Sequence, residues 1–442
     1  MRKMKDSGIK YLGTIPKEWS CTKIKYSVSE PVTCGVGEEA QDYSENSIRY
    51  IRISDFDKNG NIDDAKAAYI PYVKSNGCII NKGDILAATA GGTVGKTLLF
   101  QGLNEEACYA GYLAKIRTDE KNMHNRYLLY QLRCDIMIDF REYAVKKSTI
   151  ENISASTYGN MAVVLPPYQN QICISNYLDE QCKKIDEIMA DIQNQIDTLE
   201  DYKKSVISEA VTRGLDPDAV MKNSGVSHID SIPSHWKTIK LKYASTLKGR
   251  IGWQGLRTEE YRDDGPYLVT GTDFNKGYIN WSSCVHVSKE RFEQDKNIQV
   301  QENDLLITKD GTIGKIAMAK ECPTEVSLNS GVFIVRNNHK YRYIDKFFYY
   351  IILSKQFSLW FELAQRGNST IKHLTQEKFY EFTFAYPPIE EQARIANFLD
   401  DKCGRVDSII ENKKTQLETI ENYKKSLIYE YVTGKRKVPE NE

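Results

Sequence analysis

The chain has 442 residues, with 60 basic and 60 acidic side chains and a formal net charge of zero. No apolar run reaches the roughly 18 residues a membrane-spanning helix needs, and Met1-Arg2-Lys3-Met4-Lys5-Asp6 is not the start of a signal peptide. Neutrality excludes bulk steering toward nucleic acid, so any such surface must be a local patch; ten cysteines without a CxxC pair exclude a disulfide framework and a zinc site and fit a reducing, cytoplasmic setting.

The length suits two to three domains, and the first elements show how they arise. Met4-Lys5-Asp6-Ser7-Gly8 reappears as Met221-Lys222-Asn223-Ser224-Gly225. Ile15-Pro16 and Trp19 reappear as Ile232-Pro233 and Trp236, and Lys23, Lys25 and Tyr26 as Lys240, Lys242 and Tyr243. The offset is 217 throughout, the mark of a tandem duplication.

Inside each half the repeat decays but survives. Ile51-Arg52-Ile53-Ser54-Asp55-Phe56 reads as an alternating strand, matched by Leu268 to Phe274; Lys58 and Lys276 follow. Gly83-Asp84-Ile85-Leu86 and Asn303-Asp304-Leu305-Leu306 read as turns entering buried strands. Asp55/Asp273 and Asp84/Asp304 are expected to cap turns. A glycine-rich hairpin follows, Gly92-Thr93-Val94-Gly95-Lys96 and Gly311-Thr312-Ile313-Gly314-Lys315, then a short aromatic helix at Arg126 to Leu132 and at Lys346 to Leu353. A polar loop closes each domain: Lys146-Lys147-Ser148-Thr149-Ile150, and Gly367-Asn368-Ser369-Thr370-Ile371-Lys372.

Next comes the longest pattern. Leu165-Pro166-Pro167 and Tyr386-Pro387-Pro388 each open a helix reaching about Thr212 and Thr433, now at an offset of 221. Proline in the first turn loses no needed N–H. Apolar residues recur three and four apart: Leu178, Cys182, Ile185, Met189, Ile192, Ile196, Leu199 in one copy, Leu399, Cys403, Val406, Ile410, Leu417, Ile420 in the other. This is a coiled-coil seam, and about 44 residues make a rod of about 66 Å. Lys203 and Lys424 occupy equivalent seam positions, and Lys413 replaces Ile192. Such polar intrusions fix register or face partner subunits. Gln171/Gln392 and Tyr202-Lys203-Lys204-Ser205/Tyr423-Lys424-Lys425-Ser426 also recur. Gly214-Leu215-Asp216-Pro217 stops the first helix and places the domain boundary.

Two catalytic patterns fail on inspection. Ala90 to Thr97 fits a permissive phosphate loop, but Leu98-Leu99-Phe100 continues as a strand where a helix is required, and Gly314-Lys315-Ile316 lacks the hydroxyl. Leu165-Pro166-Pro167-Tyr168 lacks the polar residue with which an adenine methyltransferase holds the exocyclic amine. The six histidines show no metal spacing and none recurs in both halves.

Taken together these motifs resemble the specificity (S) subunits of type I restriction–modification systems, over nearly the whole chain. The residues that carry the resemblance are Ile15-Pro16 and Trp19 with Ile232-Pro233 and Trp236, the Gly-Thr-Val/Ile-Gly-Lys hairpin, the Ser-Thr-Ile loop, and the Pro-Pro helix with its glutamine and Tyr-Lys-Lys-Ser, each present twice. The resemblance implies an α+β protein with two similar mixed α/β target-recognition domains, 1–164 and 217–385. They are joined by two long helices, within 165–216 and 386–442, that pack as an antiparallel coiled coil with pseudo-two-fold symmetry. It implies double-stranded DNA as ligand, with a bipartite asymmetric site. Two methyltransferase subunits using S-adenosylmethionine and restriction subunits using ATP and Mg²⁺ would be the partners, with no catalysis or cofactor on this chain.

Direct readout needs arginine for guanine and Asn or Gln for adenine, with Lys, Ser and Thr on phosphates. On that chemistry the candidates in the first domain are Arg52, Lys58, Thr89, Thr93, Lys96, Lys146, Lys147, Ser148 and Thr149. In the second they are Arg250, Trp253, Gln254, Lys276, Thr308, Lys309, Thr312, Lys315, Arg366, Asn368, Ser369 and Lys372. Each taken singly is equally read as a solvated surface side chain. The competing whole-chain readings are a coiled-coil scaffold without DNA specificity, which leaves the duplicated domains unexplained, and a nucleotidase or self-sufficient methyltransferase.

Overall fold

The structure is a computed structural model that describes residues 2–56, 62–145, 152–250, 256, 258–338, 340–365 and 373–439. The chain forms two compact units, Met1–Gln193 with Thr415–Glu442, and Asn194–Lys414. Each unit therefore owns one globular domain, the start of the long helix that follows it and the end of the other.

In the first unit Ile85–Ala88 pairs antiparallel with Thr97–Leu99 on one side and with Leu113–Ile116 on the other, and Thr33–Cys34 completes a four-stranded sheet. A second sheet sets Ser47–Ile51 parallel to Ala107–Tyr109. The apolar run Ile85-Leu86-Ala87-Ala88 is buried on both faces. Ile85 and Ala87 pack toward the helices while Leu86 and Ala88 pack toward the second sheet, as period-two alternation requires. The second unit repeats the plan. Ser245–Gly249, Val332–Asn337, Leu305–Thr308 and Ile316–Met318 lie in that order, and Arg262–Val269 runs parallel to Val326–Leu328. Leu305 and Ile307 join the helix-side core and Leu306 the sheet-side core.

The alternating stretch Ile51–Phe56 does not stay a strand. Extended pairing ends at Ile51 and a tight turn covers Ile53–Asp55. The cause is Asp55, wholly buried, whose carboxylate accepts the Arg52 backbone N–H at 2.9 Å and the Arg52 guanidinium at 2.8 Å. Asp273 does the same with the Thr270 N–H at 2.8 Å. Asp84 and Asp304 also cap turns, on Asn81 and Gln301, and each receives a bidentate guanidinium, Arg117 and Arg336.

The long helices span Tyr168–Arg213 and Ile389–Val432, each beginning directly after the double proline. In both units they run antiparallel. In the first, Lys424 Nζ lies 2.5 Å from Asp186; in the second, Lys203 Nζ lies 2.6 Å from Asp407. The seam lysines thus cross to the neighbouring helix, and Lys413 reaches Gln195 Oε1 at 2.5 Å. Trp19 is buried with Leu427, Ile428 and Tyr431, and Trp236 with Ile207, Ala210 and Val211. Each leading segment is therefore the seat for the end of a long helix. No helix among the described residues is long and apolar enough to cross a membrane.

Candidate nucleic-acid interface

At one end of the antiparallel sheet the glycine hairpin gathers three other segments around itself. In the first unit Thr89 donates its N–H to Tyr112 O and accepts from Ile153 N, both at 2.9 Å. Lys96 Nζ donates to Phe56 O at 3.3 Å. The hairpin is thereby stitched to the loop before Leu113, to Ile153 and to the Asp55 turn. In the second unit Lys309 donates to Gly331 O at 2.9 Å and accepts from Leu374 N at 3.0 Å. Gly271, in the Asp273 turn, lies so close that an added Cβ would sit 2.6 Å from the Thr308 methyl. Backbone hydrogen bonds at repeat-equivalent residues hold both clusters, so the frame does not depend on the side chains it displays.

Those side chains divide into presenters and braces. Thr93, Lys96, Thr312 and Lys315 are exposed around the hairpin tips. Lys309 stands 4.8 Å over the Phe333 ring, which backs its stem. Arg52 is a quarter exposed, and its hydrogen bonds to Asp55 hold its pKa above the usual value. His373 Nδ1 meets Asp310 at 2.7 Å beside the second hairpin. Lys58, Lys146, Lys147, Ser148, Thr149, Trp253, Gln254, Arg366, Asn368, Ser369 and Lys372 lie outside the described residues.

A family model, the type I restriction modification DNA specificity domain, matches residues 27–198 and 233–422, one match in each half. The chain belongs to this DNA specificity family. The type I restriction enzyme MjaVIII specificity subunit of Methanocaldococcus jannaschii is 23% identical over 437 residues, covering 96% of this chain and 94% of that protein. The EcoBI specificity subunit of Escherichia coli is 24% identical over 339 residues, covering 75% of this chain and 69% of that one. The fold is shared with a chain from a structural study of complex assembly and conformational transition of the type I R-M system. That likeness has a TM-score of 0.71 at 15% identity and covers 96% of this chain and 99% of the other.

Within this specificity-family fold three of the expected contacts, Arg250, Thr308 and Thr89, are buried and take other roles. Arg250 is 1% exposed, and its guanidinium donates to Leu328 O at 2.9 Å and Ser327 Oγ at 3.0 Å. Burial pushes its pKa down, and it ties the end of its strand to Ser327 and Leu328 instead of facing solvent. Thr308 is buried, donating to Thr312 O and accepting from the Lys315 N–H, so it braces the hairpin from inside. Thr89 is buried and works through its backbone. Lys276 stays exposed, in a solvated pair with Glu411 at 3.2 Å.

Other residues reach the site without having been singled out. A groove of about 1110 Å³ in the first unit is lined by Thr89, Asn152, Ser154, Thr157, Lys10 and Lys23, among others. Two lysines with hydroxyl and amide groups are the donor set that phosphate oxygens take. Tyr112 is 40% exposed beside the hairpin. Lys23, which recurs as Lys240, was visible as a repeat; Asn152 and Tyr112 carried no pattern.

Proposed function

We propose that this chain is the sequence-reading, non-catalytic subunit of a type I restriction–modification complex. Each unit reads one half of a bipartite, asymmetric site in double-stranded DNA, and the chain docks two methyltransferase subunits and the restriction subunits. The observation that carries this reading is the loop cluster built twice on equivalent backbone hydrogen bonds but with altered side chains. Thr89 is answered by Lys309 and Tyr112 by Gly331. A preserved frame with changed side chains is what two different half-sites require. A scaffold function would leave that duplicated frame without a use.

Thr93, Lys96 and Arg52 in one unit, and Lys309, Thr312 and Lys315 in the other, are the described side chains assigned to DNA. Lys10 and Lys23 are assigned to phosphate. S-adenosylmethionine, and ATP with Mg²⁺, belong to the partner subunits in this reading, and the setting is the cytoplasm. The test is selection from random duplexes by the chain together with its methyltransferase partner at low salt. Two short conserved blocks at fixed separation, with affinity falling steeply as salt rises, are expected. Recovery of no sequence preference would sink the proposal, and methyl transfer or ATP turnover by the lone chain would overturn its non-catalytic part.

A further inference from the structure

Each recognition domain grips its helices through a small set of directional bonds that the repeat preserves. Gln171, fully buried, accepts the His124 N–H at 2.8 Å and donates to Asn122 O at 2.9 Å and Pro166 O at 3.0 Å. Gln392 accepts the Ile344 N–H and donates to Pro387 O, both at 2.9 Å. His124 and Ile344 are the residues that open the aromatic helices Asn125–Arg133 and Asp345–Leu353. Two turns further along the long helices, Tyr130 Oη donates to Asp179 and Tyr350 Oη to Asp400, each at 2.6 Å. Arg126 and Lys346 add their charges to the same two carboxylates. Burial raises both tyrosine pKa values, which keeps the hydroxyls as donors. The aromatic helix is thus pinned at both ends to the start of the long helix.

The same domains also close the far end of the other helix. Tyr127 Oη donates to Val432 O at 2.7 Å, and Gln356 Nε2 to Val211 O at 3.1 Å. These carbonyls belong to the last turn of each long helix, where no intrahelical donor remains. Different side chains serve equivalent carbonyls, so the grip was kept while the residues changed.

We infer that the Tyr130–Asp179 and Tyr350–Asp400 bonds are positioning bonds that set the angle of each reader on its helix, and so the separation of half-sites the protein accepts. The inference rests on the DNA-reading function proposed above. Apolar burial between helices is non-directional; a short hydrogen bond to a carboxylate is directional. Both aspartates are more than a third exposed, so losing the tyrosine hydroxyl leaves no buried orphan. Neither tyrosine nor aspartate belongs to the hairpin cluster, so base reading is separable from positioning.

The experiment uses the full chain with its methyltransferase partner, as wild type, Tyr130→Phe and Tyr350→Phe. Each is bound to duplexes carrying both selected half-sites, with the separation varied one base pair at a time. The preference for the best separation over its neighbours is expected to fall about fivefold in either variant, the loss of one ordinary hydrogen bond, with base preference inside the half-sites unchanged. Should Tyr350→Phe fail to fold, Asp400→Asn, which weakens the bond and keeps an acceptor, carries the same expectation. An unchanged separation profile, with or without a lower melting temperature, overturns the inference by making these bonds braces only. Collapse of base preference inside a half-site overturns it as well. A wild-type protein without sequence preference would instead defeat the DNA-reading function itself.

Discussion

Lys203 Nζ lies 2.6 Å from Asp407, and the repeat-equivalent Lys424 lies 2.5 Å from Asp186. As residue number rises on one helix it falls on the other, which fixes an antiparallel register. Both pairs are partly solvated, so each should contribute about 0.2–1 kcal/mol. Lys203→Glu places like charges across the pair and should lower the melting temperature by about 2–4 °C. Adding Asp407→Lys should restore most of that loss. A thermal melt of the three proteins measures it, and an additive double mutant would show that the two residues do not interact.

The helix ends make a sharper comparison. Gly214 and Gly434 both sit just past a long helix with φ of +78° and +70°, the left-handed conformation in which glycine closes a helix. A Cβ at 434 would lie 2.5 Å from Pro16 Cγ and Trp19 Cζ3, whereas one at 214 would lie 3.1 Å from Trp236 Cζ2. Gly214→Ala should therefore cost about 1–2 kcal/mol for the backbone alone. Gly434→Ala should cost about 2–4 kcal/mol, because overpacking against a buried ring adds to it. Urea denaturation of both variants checks the order; equal losses would mean that Trp19 yields without resistance.

These two glycines also show where reading the sequence stops. Period and punctuation are local, so the long helices, the hairpins, the aromatic helices and the two-faced strand at Ile85–Ala88 follow from the residues themselves. That the end of the second helix seats on Trp19 is not local, and no spacing encodes it. Side-chain chemistry is ambiguous in the same way. Arg250 and Thr308 carry the groups a DNA reader needs, yet the fold spends them on Leu328 O, Ser327 Oγ and Thr312 O. Asp84 was legible as a turn cap; its partner Arg117, 33 residues away, was not. What the sequence did single out, the loops around Thr89 and Lys309, the fold gathers into one cluster per unit.

Acid should loosen the fold through two histidines whose pKa values the fold lowers. Burial lowers the His228 pKa; its ring stacks on Phe382 and donates to Thr383 O at 2.6 Å as the neutral tautomer. Burial, then Arg126, lowers that of His124. For a lowered histidine pKa the unfolded chain takes the proton first. Stability is therefore level above the unfolded value near 6.5 and declines as pH falls below it. The melting temperature should drop between pH 7.5 and 5.5, and the double variant His124→Gln/His228→Gln should flatten that slope. A slope unchanged by the double substitution would assign the acid sensitivity to other groups.

If the helix pair sets the half-site separation, its length and phase can be altered together. Seven residues inserted in both helices, after Gln193 and after Lys414, keep the heptad seam and both lysine–aspartate pairs. Each insertion adds about 10.5 Å, or about three base pairs of duplex. Three base pairs also turn the duplex by roughly 100°, since a full turn takes 10–10.5 base pairs, while a heptad turns the helix seam by only about 20°. One heptad should therefore weaken binding at every separation, because the added length and the added turn of the duplex no longer match. Three heptads add about 31.5 Å, close to one turn of about 34 Å, and should restore binding to a site lengthened by about nine to ten base pairs. Insertion in one helix alone should be worse than either, since only one of the two ion pairs could then form. Selection on duplexes of graded separation reads all three proteins, and a preferred separation that ignores the insertions would show that something other than the helices measures it.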